Sequence, residues 1–328
     1  MADEKEVLLK PTRMLTHPHT TRSRLMLEVA SQLVNRKDFP YLQARIQLRE
    51  QGAAEWPLTL FASDSPATIQ EVADGRVQFA IINPSMILKI AALGSAPFKE
   101  PIPLRVIAVL PSLDQMLFAV KRETGLKSFS EIRERKFPLR VSLRAQPDHS
   151  LHLIVNHVLA IAGFSLDDIV SWGGGVRYDA GMAYGPNRIG AMLRGEIDAI
   201  FDEGASAWGN MALELGMNFL SLEERMLEQL ESLGLRRGFI QQKYFPKLAT
   251  DVPSLDFSGW PIYTHRDAAD GLVTDFCRAL DESKERIPWA QDEPLPLAQM
   301  VRDTPEGHLE VPLHPAAEHF WRERGYLR

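Results

Sequence analysis

The fold is decided by two segments, Asp74-Gly-Arg-Val-Gln-Phe-Ala-Ile-Ile82 and Arg194-Gly-Glu-Ile-Asp-Ala-Ile-Phe-Asp202. Each has the pattern of a helix end, a glycine, a polar residue and then a buried apolar strand. The glycine supplies the positive φ angle with which many helices end. Polar groups follow both strands, Asn83-Pro-Ser85 in the first case and Asp202-Glu-Gly204 in the second. Because ligands of open α/β sheets gather at the carboxyl edges of strands, this pattern predicts a binding site.

Outside these segments, short apolar strands alternate with helical stretches. Residues 42–48 alternate apolar and polar side chains, as a half-buried strand does, and residues 104–110 are apolar except for Arg105, as a buried strand is. Residues 149–162 form an apolar helical stretch followed by a glycine. Residues 169–172 are predicted as a strand, followed by a glycine-rich insertion up to residue 185. The alternation predicts an α/β protein with mainly parallel sheets.

Composition excludes several classes of protein. The 328 residues include 37 Lys and Arg against 43 Asp and Glu, a formal net charge of −6, and 45% hydrophobic residues. This balance excludes a disordered chain and argues against nucleic acid as a partner held by bulk positive charge. The single cysteine, Cys277, excludes an intramolecular disulfide framework and a four-cysteine zinc site.

The sequence also bears on membranes and export. No stretch approaches the ~20 apolar residues of a membrane span, so we expect a protein that is not itself embedded in a membrane. The first twenty residues have acids at positions 3, 4 and 6 and lack the apolar core of a secretory signal. We therefore expect a cytoplasmic location for the sequence as it stands, and a periplasmic one if a signal was removed.

Several segments, in order, are similar to a known family. They are Thr16-His-Pro-His-Thr-Thr21, the stretch from Val72 to Ser85, Gly125-Leu-Lys-Ser-Phe-Ser-Glu-Ile132, Arg194-Gly-Glu-Ile-Asp-Ala-Ile-Phe201 and Val311-Pro-Leu-His-Pro-Ala-Ala-Glu-His-Phe-Trp-Arg-Glu-Arg-Gly325. Together they resemble the TAXI family of TRAP-transporter solute receptors, which have the type II periplasmic-binding-protein-like fold. The last segment is the most specific part of the resemblance.

The resemblance implies two α/β lobes with a ligand cleft between them. Lobe 1 would comprise residues 8–121 and 246–328, and lobe 2 residues 122–245. The lobes would close on a small carboxylate or amino-acid-like ligand, with TRAP membrane subunits as possible partners and with no cofactor.

Candidate ligand-binding residues lie where strands end and helices begin. They are His17, His19, Thr20, Thr21, Ser23, Asn83, Ser85, Arg144, Gln146, His149, Ser150, Arg177, Asp202 and Glu203.

The candidate residues differ in the chemistry that each would supply. The hydroxyls from Thr20 to Ser23 either cap a helix or help its positive end to hold an anion. An arginine at position 144 could pair with a carboxylate in the bidentate geometry that lysine lacks. Asp202 and Glu203 could receive a ligand ammonium or hydroxyl, or hold a catalytic proton. Each of these residues is equally compatible with a helix cap or a solvated loop, and Asp148 or Ser150 is the expected cap of the helix over residues 149–162.

A metal site is not predicted. His17 and His19 flank a proline and would need a third ligand, such as His149 or Asp148, but nothing in the spacing requires one. Arg177 lies in the glycine-rich insertion, which lacks the G-x-G-x-x-G pattern of a dinucleotide site.

Two alternatives to a solute-binding protein stay open. One is an enzyme on the same scaffold, such as a decarboxylase of a hydroxylated aromatic carboxylic acid, cofactor-independent or metal-assisted. Its catalytic candidates are His19, His149, Asp202 and Glu203, since proton transfer to a carbanion needs a titratable group near the substrate carbon. The other is a cytoplasmic ligand sensor.

Overall fold

The computed structural model describes residues 18–35, 43–49, 52–54, 57–110, 112, 114–286, 309 and 311–327. The chain divides into two units, Met1–Ala44 and Arg45–Arg328. In the first unit, helix α1 comprises Pro18–Val34. All further elements belong to the second unit, apart from the first residue of strand β1.

Twelve strands are found in the described ranges: β1 Ala44–Leu48, β2 Leu58–Ala62, β3 Phe79–Ile81, β4 Leu104–Leu110, β5 Leu117–Lys121, β6 Arg140–Arg144, β7 Gly175–Asp179, β8 Ala199–Asp202, β9 Met217–Phe219, β10 Arg237–Ile240, β11 Val252–Leu255 and β12 Trp260–His265. The helices after α1 are α2 Ala67–Ala73, α3 Met86–Leu93, α4 Phe129–Glu134, α5 Ser150–Ala162, α6 Leu166–Ser171, α7 Pro186–Leu193, α8 Ala205–Glu214, α9 Glu224–Ser232, α10 Asp270–Ser283 and α11 Pro315–Glu323. None of the described helices is long and apolar enough to span a lipid bilayer.

The strands form two five-stranded sheets and a hairpin. Sheet 1 has the order β1-β2-β3-β12-β4, sheet 2 has the order β7-β6-β8-β5-β9, and β10 pairs with β11. In sheet 1, β2 is parallel to β3, whereas β12 is antiparallel to both of its neighbours. In sheet 2, β6 is parallel to β7 and β8, whereas β5 is antiparallel to β8 and β9. The predicted α/β class with two sheets is confirmed, and in addition β12 in sheet 1 and β5 in sheet 2 are antiparallel to both of their neighbours.

The two segments that opened the sequence analysis fold as predicted. Gly75 follows α2 with φ +72° and Gly195 follows α7 with φ +74°, in the left-handed region that favours glycine. The chain then enters β3 and β8, in which Phe79, Ala80 and the three apolar residues of β8 are almost fully buried. Asn83 and Asp202 therefore stand at the carboxyl ends of strands in different sheets.

One predicted element is wrong. The expected strand over residues 169–172 is the end of helix α6, and the true strand, β7, begins at Gly175. The signal for the helix is a capping box: the Ser165 hydroxyl accepts the N–H of Asp168, and the Asp168 carboxylate accepts the N–H of Ser165. A cap of this kind initiates a helix despite the β-branched residues that follow it. The predicted glycine-rich insertion thus contains a regular strand.

Two chain connections join the sheets, and they run side by side. The first lies between β4 and β5, and the second between β11 and β12. Met116 N donates to Leu255 O at 3.0 Å, and Phe257 N donates to Asp114 O at 2.9 Å. These antiparallel contacts tie the two connections to each other. The predicted boundaries of the lobes, residues 8–121 with 246–328 and residues 122–245, remain a prediction.

The C-terminal segment packs against sheet 1. Val106 N donates to Pro312 O at 2.9 Å, and His314 N donates to Val106 O at 2.9 Å, so the Pro-Leu-His-Pro stretch lies beside β4. Helix α11 then buries Trp321 completely, and its indole Nε1 donates to Ile107 O at 2.8 Å.

Replacement of Trp321 tests this packing. Trp321→Ala removes a buried aromatic ring and is expected to lower the free energy of unfolding by about 3–5 kcal/mol. Trp321→Phe keeps most of the apolar volume and loses the hydrogen bond to Ile107, so its cost should be about 1–3 kcal/mol. Urea unfolding measures both, with His319→Ala as the control because that side chain is 75% exposed. A loss for Trp321→Phe no larger than that for His319→Ala would contradict the hydrogen bond's contribution, and equal losses for the two Trp321 variants would contradict the contribution of the ring's packing.

Candidate functional site

The candidate site lies where the carboxyl ends of strands from both sheets meet. In sheet 2, the chain runs from β6 outward to β7 and then returns past β6 to β8, so the crossovers diverge at β6. Such a topological switch point is where open α/β sheets bind ligands. Arg144 is the last residue of β6, and Asp202 is the last residue of β8.

Arg144 is the centre of the cluster. Its Nη2 donates to Asp202 Oδ1 at 2.7 Å and to Glu203 Oε1 at 2.5 Å. Its Nη1 lies 3.1 Å from Nε2 of His149. Only 12% of the arginine side chain is exposed, against 0% for Asp202 and 10% for Glu203. The charge-assisted contacts are therefore shielded from water and hold the ends of β6 and β8 together.

A second guanidinium, that of Arg188, also donates to Asp202. Arg188 of α7 is fully buried and its Nη1 donates to Asp202 Oδ2. Its Nε and Nη2 donate to the hydroxyl and the carbonyl oxygen of Ser142, both at 3.0 Å. The Ser142 hydroxyl in turn donates to Asp179 at the end of β7, at 2.7 Å. Each nitrogen of the Arg188 guanidinium thus has a partner within the protein, whereas the Nε of Arg144 has none among the described residues.

His149 and Asp64 complete the cluster. His149 caps α5, because its Nδ1 accepts the N–H of Leu151 at 3.1 Å. Asp64 follows β2 in sheet 1, and its Oδ2 lies 3.9 Å from His149 Nε2. The main chain joins the same region across the two sheets: Ser150 N donates to Asp64 O at 2.9 Å, and the Ser150 hydroxyl donates to Asn83 O.

The hydrogen-bond donors and acceptors around His149 do not all pair with one another within the described residues. A neutral imidazole has one donor and one acceptor nitrogen. Since Nδ1 accepts the Leu151 N–H, the ring proton belongs on Nε2, which therefore faces Arg144 Nη1 as a second donor. Burial and the charge of Arg144 lower the His149 pKa to about 4, so the ring is neutral near pH 7. Two donors thus face each other without an acceptor.

Among the described residues, three further buried atoms around the cluster have no hydrogen-bond partner. They are the Nε of Arg144, the Oδ1 of Asn83 and the Oε1 of Gln146. Buried polar atoms are paired in most proteins, and an unpaired one costs about 1–3 kcal/mol. These atoms are the donors and acceptors that a polar ligand would satisfy.

Burial shifts the carboxyls of Asp64 and Asp202 toward their protonated forms. Burial, followed by the charge of Glu203, raises the Asp64 pKa to about 6. Burial also raises the Asp202 pKa, although Arg188 and Arg144 oppose the shift. The cluster therefore holds two guanidiniums against two ion-paired carboxylates, with a third carboxyl that titrates near neutrality.

The structure brings six of the predicted site residues into this cluster or its rim: Asn83, Arg144, His149, Ser150, Asp202 and Glu203, with Gln146 nearby in the β6–α5 loop. The expected cap of α5, Asp148 or Ser150, is wrong, because His149 performs that role. Ser85 does not cap α3 with its side chain; its hydroxyl donates to Ser258 O at 2.9 Å. Ligand contact by these residues stays a prediction.

Arg177 has a different setting from the one expected. It lies in strand β7, and its guanidinium pairs with Glu196 at 2.7 Å and Asp179 at 3.0 Å. The glycine-rich segment around Arg177 is therefore a regular strand, and ligand contact by Arg177 stays a prediction.

The N-terminal candidates lie in the first unit of the chain, Met1–Ala44. His17 lies outside the described residues. His19, Thr20, Thr21 and Ser23 fall within the first turns of α1, which begins at Pro18. Ser23 is exposed. Their predicted ligand contacts stay predictions, and within the described residues no group of three or more His, Cys, Asp or Glu side chains is placed to hold a metal ion.

Sequence reasoning missed Asp64, Asp114, Ser142 and Arg188. Asp64 follows a strand of sheet 1, so the rule that identified Asn83 and Asp202 would also have found it. Arg188 is the second residue after the start of α7 at Pro186, and no local signal separates it from a solvated helix residue. Its role appears only when α7 packs under the ends of β6 and β8.

The raised pKa of Asp64 makes stability depend on pH. The unfolded carboxyl titrates near 3.8 and the folded one near 6, so the folded state favours the protonated form. The contribution of protonated Asp64 to the free energy of unfolding is complete below the unfolded pKa of 3.8 and is lost as the pH rises through 6. Asp64→Asn stays neutral and should stabilise the protein at pH 7.5 by up to about 3 kcal/mol, at ~1.4 kcal/mol per pKa unit.

Thermal unfolding of Asp64→Asn and wild type between pH 4.5 and 7.5 measures this effect. The advantage of the variant should shrink as the pH falls. Asp275→Asn is the control, since that carboxylate is 72% exposed and should show no such pH dependence. A constant difference between Asp64→Asn and wild type would contradict the perturbed titration.

Three solved structures are among those similar to this chain. The alkanesulfonate-binding protein SsuA from Xanthomonas axonopodis pv. citri, bound to MOPS, is 15% identical with a TM-score of 0.31, over 67% of this chain and 62% of its own. MatC from Rhodopseudomonas palustris, with bound malate, is 12% identical with a TM-score of 0.35, over 80% and 83% of the chains. A glycine betaine/L-proline-binding protein, ProX, from Borrelia burgdorferi is 11% identical with a TM-score of 0.34, over 67% and 74%.

The chain spans less than two thirds of the length of the first of these proteins. TM-scores at this level establish neither a shared ligand nor a shared activity. No curated protein sequence matches the chain significantly. A family model described as the NMT1-like family matches residues 61–325, which include β3 to β12, both connections and the Arg144 cluster. The chain therefore belongs to the NMT1-like family.

Proposed function

We propose that this protein is a solute-binding protein whose Arg144 cluster binds a small carboxylate that also carries an amino or hydroxyl group. The proposal rests on one observation: Arg144, paired with Asp202 and Glu203 through Nη2 alone, retains a buried Nε without a partner and an Nη1 that faces the His149 ring. Donors without an acceptor, at a sheet edge where ligands bind, favour an anionic ligand group.

The donors match a carboxylate. With the ring proton on Nε2, His149 and Arg144 present N–H groups 3.1 Å apart. An oxygen of a ligand carboxylate that accepts from both would remove the donor–donor contact, and an arginine provides this at lower desolvation cost than a lysine.

The acceptors match an amino or hydroxyl group. Asn83 and Gln146 each have a buried side-chain oxygen without a partner. Asp64 adds a carboxylate whose side chain is 30% exposed. Ammonium and hydroxyl groups are the donors that would satisfy these oxygens.

The balance of charge favours a ligand with little net charge. Asp202 and Glu203 already neutralise the two guanidiniums, and Asp64 adds negative charge above pH 6. A bare carboxylate would add an uncompensated negative charge in a poorly hydrated place. An amino acid, or a hydroxy acid bound with Asp64 protonated, avoids that cost.

The TAXI-type role in TRAP uptake belongs to the same proposal. Support comes from the resemblance of the Val311–Gly325 stretch, which packs beside β4 and closes sheet 1. In TRAP uptake the protein would deliver its ligand to TRAP membrane subunits. A cytoplasmic ligand sensor would not bind such subunits.

A screen with matched compounds tests the ligand class. The pairs are L-alanine and propionate, L-glutamate and glutarate, and L-malate and succinate, which differ within each pair only in the amino or hydroxyl group. The first member of at least one pair should raise the melting temperature by several degrees, since ~100-fold excess over Kd stabilises by about 2.7 kcal/mol. Stabilisation by both members of a pair alike would contradict the role of the acceptors.

Arg144→Lys tests the residue. The three donors of a lysine ammonium lie on one nitrogen, so a lysine paired with Asp202 and Glu203 cannot also present the spaced Nε and Nη1 donors of the guanidinium. The affinity for the stabilising compound should therefore fall about 10–100-fold, or ~1.4–2.8 kcal/mol. Arg140→Lys is the matched control, because it lies at the other end of β6 and pairs with Asp198 at the surface.

Calorimetry of both variants gives the dissociation constants. Unchanged binding by Arg144→Lys would place the site elsewhere. Release of CO2 from a stabilising acid would make the cleft catalytic and favour the decarboxylase alternative.

A further inference from the structure

A cavity of about 700 Å³ lies between helix α8, strand β10 with the loop that follows it, and the first connection between the sheets. Helix α8 lines it with residues of its first two turns, Ser206 and Asn210 among them, and the connection lines it with Asp114 and Gln115. The volume is within the range of small-molecule sites. None of the described residues that line this cavity belongs to the Arg144 cluster, so the cavity is a separate feature of the molecule.

Two aromatic side chains of the cavity are open to solvent. Phe239 of β10 is 42% exposed, and Tyr244 of the following loop is 60% exposed. Aromatic rings that line a concave surface stabilise a planar ligand by removing apolar area from water and by ring–ring contact. An aromatic group in the cavity would cover both rings.

The loop that carries Tyr244 is fixed by helix α8. The neighbouring Phe245 is buried, and it packs so closely on Gly209 that a Cβ at this glycine would lie 2.5 Å from the phenyl ring. Asn210 Nδ2 donates to the carbonyl oxygen of Tyr244 at 3.2 Å. The aromatic wall is therefore formed before a ligand binds, which lowers the entropic cost of binding.

Lys243 supplies the cavity with a positive charge. Its Nζ lies 4.7 Å from the centroid of the Tyr244 ring, in a cation–π contact. Among the described residues, no carboxylate forms an ion pair with this ammonium, whereas Lys247 in the same loop pairs with Glu214 at 3.8 Å. An anionic group of a ligand is the partner that Lys243 lacks.

Asp114 is the acidic residue of the cavity lining, and its charge is compensated by the main chain. Its carboxylate accepts the backbone N–H of Gln115 at 2.7 Å, that of Gly204 at 2.9 Å and that of Ala205 at 3.0 Å. Hydrogen bonds of this kind, two of them at the positive end of α8, stabilise the negative charge where it stands. Lys243 is therefore the charged group of the cavity that a ligand can pair with.

We propose that this cavity is a second binding site, for an aromatic carboxylate: the ring of the ligand lies against Phe239 and Tyr244, and its carboxylate pairs with Lys243. The site shares no residue with the Arg144 cluster and does not depend on the proposed function. It requires both features of the ligand, because the rings favour an aromatic group and the lysine favours an anion.

Three matched compounds test the class of ligand. They are benzoate, cyclohexanecarboxylate, which keeps the charge without the aromatic ring, and benzamide, which keeps the ring without the charge. Amide resonances of the nitrogen-15-labelled protein should shift saturably with benzoate at Ser206 and Lys243, and the other two compounds should bind at least about twofold more weakly. Absence of a saturable shift with benzoate, or equal affinity for all three compounds, would overturn the proposal.

Variants of exposed residues test the groups that hold the ligand. Lys243→Gln removes the charge and should weaken benzoate binding about two- to tenfold. Tyr244→Leu should weaken it about two- to tenfold as well, and Tyr244→Phe should bind as wild type does because the ring is kept. Lys247→Gln is the matched control, since this lysine of the same loop already has a carboxylate partner. An equal loss in Lys243→Gln and Lys247→Gln would contradict the site.

Arg144→Lys separates this site from the proposed one. The variant should bind benzoate as wild type does, although the proposed function expects it to lose affinity for small amino or hydroxy acids. Benzoate binding that is lost in Arg144→Lys and kept in Lys243→Gln would place the aromatic acid in the Arg144 cluster and overturn the proposal. Failure of the cavity to bind benzoate would leave the proposed function standing, and failure of the amino and hydroxy acid screen would leave the cavity site standing.

Discussion

The buried contact of Arg144 and Arg188 with Asp202 is the interaction on which the candidate site depends. Asp202 is fully buried and accepts from both guanidiniums, one at the end of β6 and one on α7. Removing one partner of such a pair leaves an uncompensated charge away from water and typically costs about 3–5 kcal/mol. Separation of the ends of β6 and β8 therefore carries a large cost in free energy, and the polar groups that surround Arg144 are held in fixed positions.

That constraint also shapes what the site offers a ligand. Because Asp202 and Glu203 occupy Nη2 of Arg144, the remaining recognition depends on Nε, Nη1 and the neutral His149 ring, together with unpaired oxygens from both sheets. Preformed hydrogen-bonding groups with balanced charge favour small polar ligands over strongly charged ones.

The fold was predictable from the sequence wherever all local signals in a segment indicated the same secondary structure. Strand β4 has the bounds predicted from its apolar run, and Gly75 and Gly195 end helices in the left-handed conformation that only glycine adopts easily. Around residues 165–179 two local signals competed. Val170 and the glycines indicated a strand and a loop, whereas the capping box at Ser165 and Asp168 initiates a helix and moves the strand to Gly175.

The sequence by itself determined the α/β class, the polar strand exits and the residues Arg144, His149, Asp202 and Glu203 as candidates, because periodicity and glycine positions act over a few neighbouring residues. Only the tertiary structure decided how these residues are used. Arg188, Asp64 and Asp114 are separated from Arg144 along the chain, and their contacts exist only after β2, α7 and the first connection pack around the ends of β6 and β8. Pairing, burial and protonation are properties of that packing, since each depends on which charges lie within a few ångströms once water has been excluded.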